Sequence, residues 1–283
     1  MSDRVDQASA GALARADSMD RRTLIKSVAA GAAVTLTSGA VQAQAAAPPQ
    51  RVRAARGGVR NVVLVHGAYA DGSSGSEVIR RLQAAGLRAT AVQNPLTSLA
   101  DDVAATRRVL AMQDGPTILV AHSFGGTVIT QAGDDPHVVG LVYVAARAPD
   151  AGEDYAALAK SFPSPPANAG LTYNDGFGQL TEHAFLHDFA NGVDRAAAQV
   201  LFAVQGRISA TLFSDKTTVA AWRSKPSWYA VSKRDRTTSP KLERFLAKRM
   251  RAKTIELDSG HLSLITHPRQ ITTLILDAAR SSR

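Results

Sequence analysis

Short, mostly apolar runs alternate with amphipathic segments along this chain from residue 61 onward. Runs of this length, rich in β-branched residues, predict buried strands. They cover residues 61–65, 88–92, 116–120, 138–144, 228–232 and 254–257. Most segments between them place apolar residues three and four positions apart, which predicts amphipathic helices. One such helix would present Leu99, Val103, Thr106 and Leu110 on a single face.

Strands that alternate with helices through short loops form a parallel sheet covered by helices on both faces. The sequence therefore predicts an α/β domain over residues 61–283, with a mostly parallel sheet of about six strands. Helix start signals agree with this pattern. Ser98 with Asp101 three residues later forms a capping-box signal, and Ser239-Pro240 and Pro268 mark two later helix starts.

The alternation stops at about residue 150 and resumes at about residue 225. This stretch shows several short helical patterns and no clear strand, so we expect a helical cap insertion. It also contains six of the eight phenylalanines. Aromatic rings in such an insertion can cover a site or form the insertion's own small core, and both interpretations stay open. The six rings are Phe162, Phe177, Phe185, Phe189, Phe202 and Phe213.

One predicted strand-to-helix junction carries a candidate nucleophile. The strand over 116–120 continues into Ala121–Gly126 (AHSFGG), and an apolar helical segment follows. Small-x-Ser-x-Gly at such a junction is typical of a sharp turn that presents the serine hydroxyl at a helix N-terminus. We expect the residues two before and two after Ser123, Ala121 and Gly125, to face each other closely in this turn.

A serine hydroxyl is a weak nucleophile at neutral pH, so it needs a base, and the base needs a group that holds its tautomer. Asp235 follows the predicted strand 228–232, and His261 follows the strand 254–257. Because the carboxyl ends of parallel strands meet at one edge of a sheet, Ser123, Asp235 and His261 are predicted to form a catalytic triad. Asp150, which follows the strand 138–144, is an alternative position for the acid.

Acyl transfer also needs two backbone N–H groups that stabilise the developing oxyanion. One donor is expected from Phe124, the residue after the nucleophile. The other is expected from Ala68, in the glycine-containing loop after the first strand. His66 in that loop is interpreted as a structural hydrogen-bonding residue. This chemistry requires no cofactor, and the remaining histidines show no spacing that indicates a metal site.

Residues 1–45 are predicted to be a targeting segment, and residues 46–60 a solvated lead-in. Arg21-Arg22 form a twin-arginine pattern, an Ala-rich apolar run follows, and Ala43-Gln44-Ala45 offers a small-x-small cleavage site. The apolar run is too short and too weakly apolar for a stable transmembrane helix. The alternative is an Ala-rich N-terminus with a chance arginine pair. The order of the three regions favours twin-arginine export to the periplasm or the medium.

Composition removes several other classes of chemistry. The 283-residue chain has no cysteine, which excludes disulfides, cysteine nucleophiles and thiolate metal sites. Its formal net charge is +9, but the basic residues are spread over predicted helix faces without interleaved aromatic residues. We therefore expect a solvated basic surface, with no nucleic-acid partner and no membrane anchor.

These motifs resemble small bacterial α/β-hydrolases akin to the plant methyl-ester esterases and hydroxynitrile lyases. The resemblance covers roughly residues 60–280. It is carried by Asn61–Ser74, His122–Gly126, Leu141–Ala145, Pro226–Tyr229 and Gly260–Leu262. The resemblance implies the α/β-hydrolase fold, a helical cap and a cofactor-free triad on Ser123, Asp235 and His261. The lyases carry a lysine directly after the catalytic histidine; Leu262 at that position favours ester hydrolysis.

The sequence therefore predicts a periplasmic or secreted serine hydrolase that cleaves a small-molecule carboxylic ester through an acyl-enzyme. One alternative is hydroxynitrile-lyase-like or perhydrolase activity on the same site. The other is a non-catalytic binding protein that keeps the fold. The cap over Ser123 is expected to decide which substrate fits.

Overall fold

The computed structural model describes residues 58–282. The predicted targeting segment, residues 1–45, and residues 46–57 of the predicted lead-in lie outside the described residues. Within the described part of the chain, no helix is both long enough and apolar enough to cross a membrane.

Six parallel strands form the central sheet, which confirms the predicted fold class. The strands of the molecule are β1 (Asn61–Val65), β2 (Arg88–Ala91), β3 (Thr117–His122), β4 (Val138–Val144), β5 (Leu171–Asn174), β6 (Phe177–Leu180), β7 (Ile208–Ser209), β8 (Ser227–Ser232) and β9 (Lys253–Leu257). The order across the central sheet is β2-β1-β3-β4-β8-β9. The winding direction therefore reverses between β1 and β3, and ligands of such sheets bind at the carboxyl ends of the strands at this reversal.

Helices cover both faces of the sheet, and three further helices, α4 to α6, belong to the cap. The helices are α1 (Ser76–Ala84), α2 (Leu99–Leu110), α3 (Gly125–Ala132), α4 (Tyr155–Lys160), α5 (Glu182–Ala184), α6 (Arg195–Ala203), α7 (Pro240–Arg249), α8 (Ser263–Thr266) and α9 (Pro268–Ser281). Alternate residues of β1 belong to opposite layers of the core. Val62 and Leu64 belong to the core layer that contains residues of α1 and α9, whereas Val63 and Val65 belong to the layer that contains residues of α2 and α3. Burial on both faces explains the continuous apolar runs within β1 and β3, residues 62–65 and 118–121.

The predicted helix starts agree with the structure. Ser98 Oγ accepts the N–H of Asp101 at 3.1 Å at the start of α2. Pro240 and Pro268 occupy the first turns of α7 and α9. Ser239 precedes α7 in extended backbone but makes no side-chain capping hydrogen bond. The fixed φ of proline therefore marks the start of α7 without help from the serine hydroxyl.

The cap contains helices and also a small antiparallel sheet of order β5-β6-β7. The turn between β5 and β6 is Asp175-Gly176, with φ values of 48° and 75°. Positive φ at both central residues is typical of a type I′ hairpin, for which Asp-Gly is a strong signal. The prediction that this stretch holds no strand is therefore wrong. The flanking strands have only four residues each and mixed polarity, so the apolar pattern did not reveal them.

Five of the six cap phenylalanines divide between two roles, and the sixth, Phe177, is exposed. Phe185 and Phe189 are buried with ring centroids 4.8 Å apart, and Phe202 packs 5.6 Å from Phe185. These rings form the cap's own core. Phe162 and Phe213 instead line a cavity beneath the cap. Both interpretations of the aromatic-rich insertion therefore hold, each for different rings.

Candidate active site

Ser123 occupies a strained turn between β3 and α3. Its φ is 53°, in the left-handed region that residues other than glycine rarely adopt. A Cβ atom added at Gly125 would lie 2.6 Å from the carbonyl oxygen of Val65 and 2.7 Å from that of His66. The closest approach at Gly125 is thus to the end of β1. Glycine is needed there because the turn packs against a neighbouring strand.

The peptide after the serine is held through its carbonyl group. The carbonyl oxygen of Ser123 accepts the N–H groups of Gly126 and Arg147, both at 3.0 Å. Because the C=O and N–H of a trans peptide point in opposite directions, these bonds turn the Phe124 N–H to the other side. That N–H donates to no residue within 58–282. It is therefore a candidate oxyanion donor.

The loop after β1 is fixed in a similar way by His66. The His66 Nε2 accepts the N–H of Asn94 at 2.9 Å, so the proton is on Nδ1, which donates to the Gly67 carbonyl oxygen at 2.8 Å. Burial lowers the pKa of His66 and favours this neutral form. The anchored peptide directs the Ala68 N–H away from the imidazole. A Cβ at Gly67 would lie 2.6 Å from the Ser123 Cβ, so glycine lets this loop approach the serine.

Asp235 and His261 form a buried hydrogen-bonded pair. His261 Nδ1–H donates to Asp235 Oδ2 at 2.6 Å, and both side chains are 0% exposed. The other carboxylate oxygen accepts the N–H groups of Thr237 at 2.6 Å and Thr238 at 2.8 Å. The carboxylate is therefore fixed in orientation. It holds His261 in the tautomer whose Nε2 can accept a proton.

Asp150, the alternative acid, is engaged elsewhere. Its Oδ1 accepts the Nε–H of Arg223 at 2.7 Å, and its backbone carbonyl accepts the Thr217 hydroxyl at 3.0 Å. The hydrogen bond from Arg223 lowers the pKa of Asp150. Asp150 thus anchors the start of the cap, and His261 pairs with Asp235 instead.

His122 connects the serine turn to the His261 loop. Its Nε2–H donates to the His261 carbonyl oxygen at 3.0 Å, and the two rings lie 4.5 Å apart. Burial and the neighbouring His261 hold the pKa of His122 well below its usual value, so it acts as a neutral structural link. The Nε2 of His261 makes no hydrogen bond to Ser123 or to another described residue. Catalytic hydrogen bonds of free enzymes are often long and tighten in the substrate complex.

A cap residue that sequence reasoning missed also supports this pair. Asn191 Nδ2 donates to the Arg234 carbonyl oxygen at 2.8 Å, and its Oδ1 accepts the His261 N–H at 3.4 Å. Asn191 therefore bridges the loops that carry Asp235 and His261. Its atoms occupy the position that a Cβ on Gly260 would take. No local motif marks Asn191, because the contact joins segments far apart in sequence.

A second buried carboxyl group lies behind Asp235. Glu243 on α7 is 0% exposed, and its Oε2 accepts the N–H of Ser232 at 2.9 Å. Burial and the negative charge of Asp235 raise the pKa of Glu243 well above its ordinary value. The folded protein therefore favours the neutral, protonated form of Glu243. Sequence reasoning missed it because a glutamate on an amphipathic helix usually faces water.

A cavity of about 400 Å³ opens onto Ser123 beneath the cap. Its size is ordinary for a small-molecule site. The lining is mostly apolar and includes Ala68, Tyr69, Tyr155, Phe162, Leu171, Leu180 and Phe213. Arg147 and Lys160 add positive charge to this lining.

The chain belongs to the alpha/beta hydrolase family, whose sequence profile matches residues 62–273. This match spans the central sheet from β1 into α9 and includes Ser123, Asp235 and His261.

Similar proteins come from fungi, bacteria and plants. The chain is 24% identical over 241 residues to the alpha/beta hydrolase nvfD of Aspergillus novofumigatus, covering 77% of this chain and 96% of that protein. A pyrethroid hydrolase from Sphingobium faniae superposes with a TM-score of 0.64 at 20% identity, covering 79% and 98% of the two chains. A methylesterase from Arabidopsis superposes with a TM-score of 0.65 at 17% identity, covering 79% of this chain and 100% of that chain. These structural matches establish a shared fold.

The buried Glu243 generates a prediction about stability. Its side chain is neutral in the folded protein, whereas in the unfolded chain it ionises above about pH 4.3. The folded state therefore binds more protons, and the free energy of unfolding falls by up to about 1.4 kcal/mol per pH unit as the pH rises above this value. We expect Glu243→Gln to remove this loss, because glutamine keeps an acceptor for the Ser232 N–H and has no ionisable group. Urea unfolding between about pH 5 and about pH 7 measures the difference.

Glu256→Gln is the matched control. The hydrogen bond from Arg244 lowers the pKa of Glu256, so its contribution is present above the ordinary glutamate pKa and lost on acidification. This variant should therefore show no gain in relative stability as the pH rises. A Glu243→Gln variant whose stability relative to wild type stays constant over the same range would contradict the assignment of a neutral Glu243.

Proposed function

We propose that this protein is a serine hydrolase that cleaves carboxylic esters through an acyl-enzyme, without a cofactor. The observation that carries this proposal is the buried 2.6 Å hydrogen bond between His261 Nδ1 and Asp235 Oδ2. A pair of this kind supports an imidazole that accepts a proton from a neighbouring hydroxyl. Ser123 follows β3 at the same carboxyl edge of the sheet, on a turn that α/β-hydrolases use for their nucleophile.

In the first half-reaction, Ser123 Oγ attacks the ester carbonyl carbon while His261 Nε2 takes the hydroxyl proton. The negative charge that develops on the carbonyl oxygen is stabilised by the N–H groups of Ala68 and Phe124. The bond between the carbonyl carbon and the alkoxy oxygen then breaks, and His261 gives its proton to the departing alcohol. Asp235 stabilises the imidazolium that forms in between.

In the second half-reaction, water takes the place of the alcohol. His261 Nε2 accepts a proton from water as the water oxygen attacks the acyl carbon on Ser123. Collapse of the second tetrahedral intermediate breaks the bond to Ser123 Oγ, which recovers its proton from His261. The products are a carboxylic acid and an alcohol.

The residue after the base favours ester hydrolysis over cyanohydrin cleavage. Leu262 is apolar and 2% exposed. It offers no cation to a departing cyanide ion, whereas the lyases that this sequence resembles carry a lysine there. Cleavage of a cyanohydrin without turnover of any ester would favour the lyase alternative.

Replacement of the nucleophile tests the proposal directly. We expect Ser123→Ala to lower kcat for p-nitrophenyl acetate by at least about a thousandfold, because covalent catalysis is lost while the fold stays intact. A fluorophosphonate probe should label wild type and fail to label this variant. Ser76→Ala, at an exposed serine, serves as the control and should keep both properties. Ester turnover by Ser123→Ala at the wild-type rate would refute the mechanism.

The two candidate acids can be separated by one comparison. Asp235→Asn should lower kcat by about ten-thousandfold, because an amide stabilises the wrong tautomer of His261. Asp150→Asn should change kcat by less than about threefold, since it removes only a surface ion pair with Arg223. Both are measured on p-nitrophenyl acetate. The reverse ranking would move the acid to Asp150.

We also propose that the chain is exported by the twin-arginine route, from the pattern at Arg21-Arg22 and the Ala-rich run that follows. Expression in a bacterium with this pathway, followed by cell fractionation, tests it. Wild type should be recovered from the periplasm or medium, and Arg21→Lys combined with Arg22→Lys should stay in the cytoplasm. Arg51→Lys combined with Arg53→Lys is the matched control and should be exported. Wild type confined to the cytoplasm would refute this route.

A further inference from the structure

Arg147 lies beside the candidate nucleophile. It follows β4 at the carboxyl edge of the sheet, and its backbone N–H donates to the Ser123 carbonyl oxygen at 3.0 Å. Its side chain lines the same cavity as Ser123. The position of this residue is therefore coupled to the turn that presents the serine.

Aromatic rings surround the Arg147 guanidinium group. Its central carbon lies 3.9 Å from the ring centroid of Phe213, 5.1 Å from that of Tyr155 and 5.6 Å from that of Phe124. Rings in contact with the face of a guanidinium stabilise the cation and restrict its orientation. The N–H donors of a guanidinium group point outward in its own plane, and aromatic rings have no lone pairs to accept them. The rings around Arg147 therefore leave these donors unused.

The guanidinium group has no counter-ion among residues 58–282. No described carboxylate lies within 4.0 Å of it, and no described residue accepts a hydrogen bond from it. Arg249 shows the usual alternative, since it pairs with Glu153 at 2.7 Å and donates to the Ala148 carbonyl oxygen at 2.6 Å. Burial lowers the pKa of Arg147, but arginine stays charged in proteins.

The charged side chains that line the cavity are all positive, like Arg147 itself. The described lining contains two cations, Arg147 and Lys160, and no aspartate or glutamate. The Arg147 side chain is only partly exposed, so its unpaired donors are partly withdrawn from water. An anion that enters the cavity can therefore form charge-assisted hydrogen bonds with a cation that no described residue neutralises. A guanidinium with fixed orientation binds a planar carboxylate through two parallel hydrogen bonds.

We propose that the substrate is an ester that carries a second, ionised carboxylate group, which Arg147 binds while Ser123 attacks the ester carbonyl. The proposal rests on the proposed ester hydrolysis and specifies its substrate class. The cavity of about 400 Å³ has room for a small molecule with both groups. Arg147 is thus a specificity-determining residue of the site.

Two matched pairs of esters test this proposal. The first pair places the carboxylate on the alcohol side, with 4-acetoxybenzoate compared to neutral 4-acetoxybenzamide. The second pair places it on the acyl side, with monomethyl adipate compared to neutral methyl adipamate. We expect wild type to prefer the charged member of at least one pair by about tenfold or more in kcat/KM, the usual range for a hydrogen-bonded charge. Higher salt should reduce this preference.

Variants assign the preference to one side chain. Arg147→Met should abolish it, so that the charged and the neutral ester of each pair have equal kcat/KM values. Arg147→Lys should retain part of it, because lysine keeps the charge but not the planar pair of donors. Arg269→Met removes an exposed arginine on α9 and should leave the preference intact. This control separates the local effect of Arg147 from the loss of one positive charge.

The outcomes distinguish this proposal from the proposed function. Hydrolysis of both neutral esters at least as fast as of their charged partners would overturn the role of Arg147 and leave ester hydrolysis standing. A preference that persists in Arg147→Met would also overturn it. Calorimetric binding of 4-acetoxybenzoate to Ser123→Ala needs no turnover. Binding that disappears when Arg147→Met is added would support the carboxylate site even in a protein that hydrolyses no ester.

Discussion

The strained turn at Ser123 is the constraint on which the rest of the site depends. A residue in this backbone region costs about 1–3 kcal/mol and persists only where its surroundings enforce it. Here the end of β1 packs against Gly125, and the peptides of Gly126 and Arg147 donate to the Ser123 carbonyl oxygen. The turn therefore joins the ends of three neighbouring strands, β1, β3 and β4. Glycine is needed around the serine because backbone atoms of those strands leave no room for a Cβ.

The same principle orients both candidate oxyanion donors. Each N–H belongs to a peptide whose carbonyl oxygen is already bound on the opposite side, by His66 in one case and by Gly126 and Arg147 in the other. The donors are thus fixed before a substrate arrives. Donors held in advance stabilise a developing negative charge without the reorganisation that water requires. The sequence predicted only that His66 is a structural hydrogen-bonding residue. Its bonds to Gly67 and Asn94 show that it orients the loop that carries Ala68.

The parts of the molecule that sequence could predict are those that local patterns encode. Continuous apolar runs revealed the sheet, and the strand ends then brought Asp235 and His261 to one edge. The remaining features depend on contacts between distant segments. Asn191 bridges the loops of the pair from the cap, and Glu243 on α7 lies buried behind Asp235. Neither residue belongs to a recognisable motif. The short hairpin of the cap was missed because four-residue strands of mixed polarity carry little periodic signal, although Asp-Gly marked its turn.

The turn also ties the nucleophile to the charge of the cavity. Arg147 is held by its backbone to Ser123 and by its guanidinium face to Phe213. The Arg147 side chain is partly exposed in the cavity, and its contacts with aromatic rings stabilise the cation without using its N–H donors. An anion that binds these donors in the folded protein, and does not bind the unfolded chain, stabilises the fold by mass action. The backbone contact that helps to fix the Ser123 turn thus also places the cation that we propose selects the ligand.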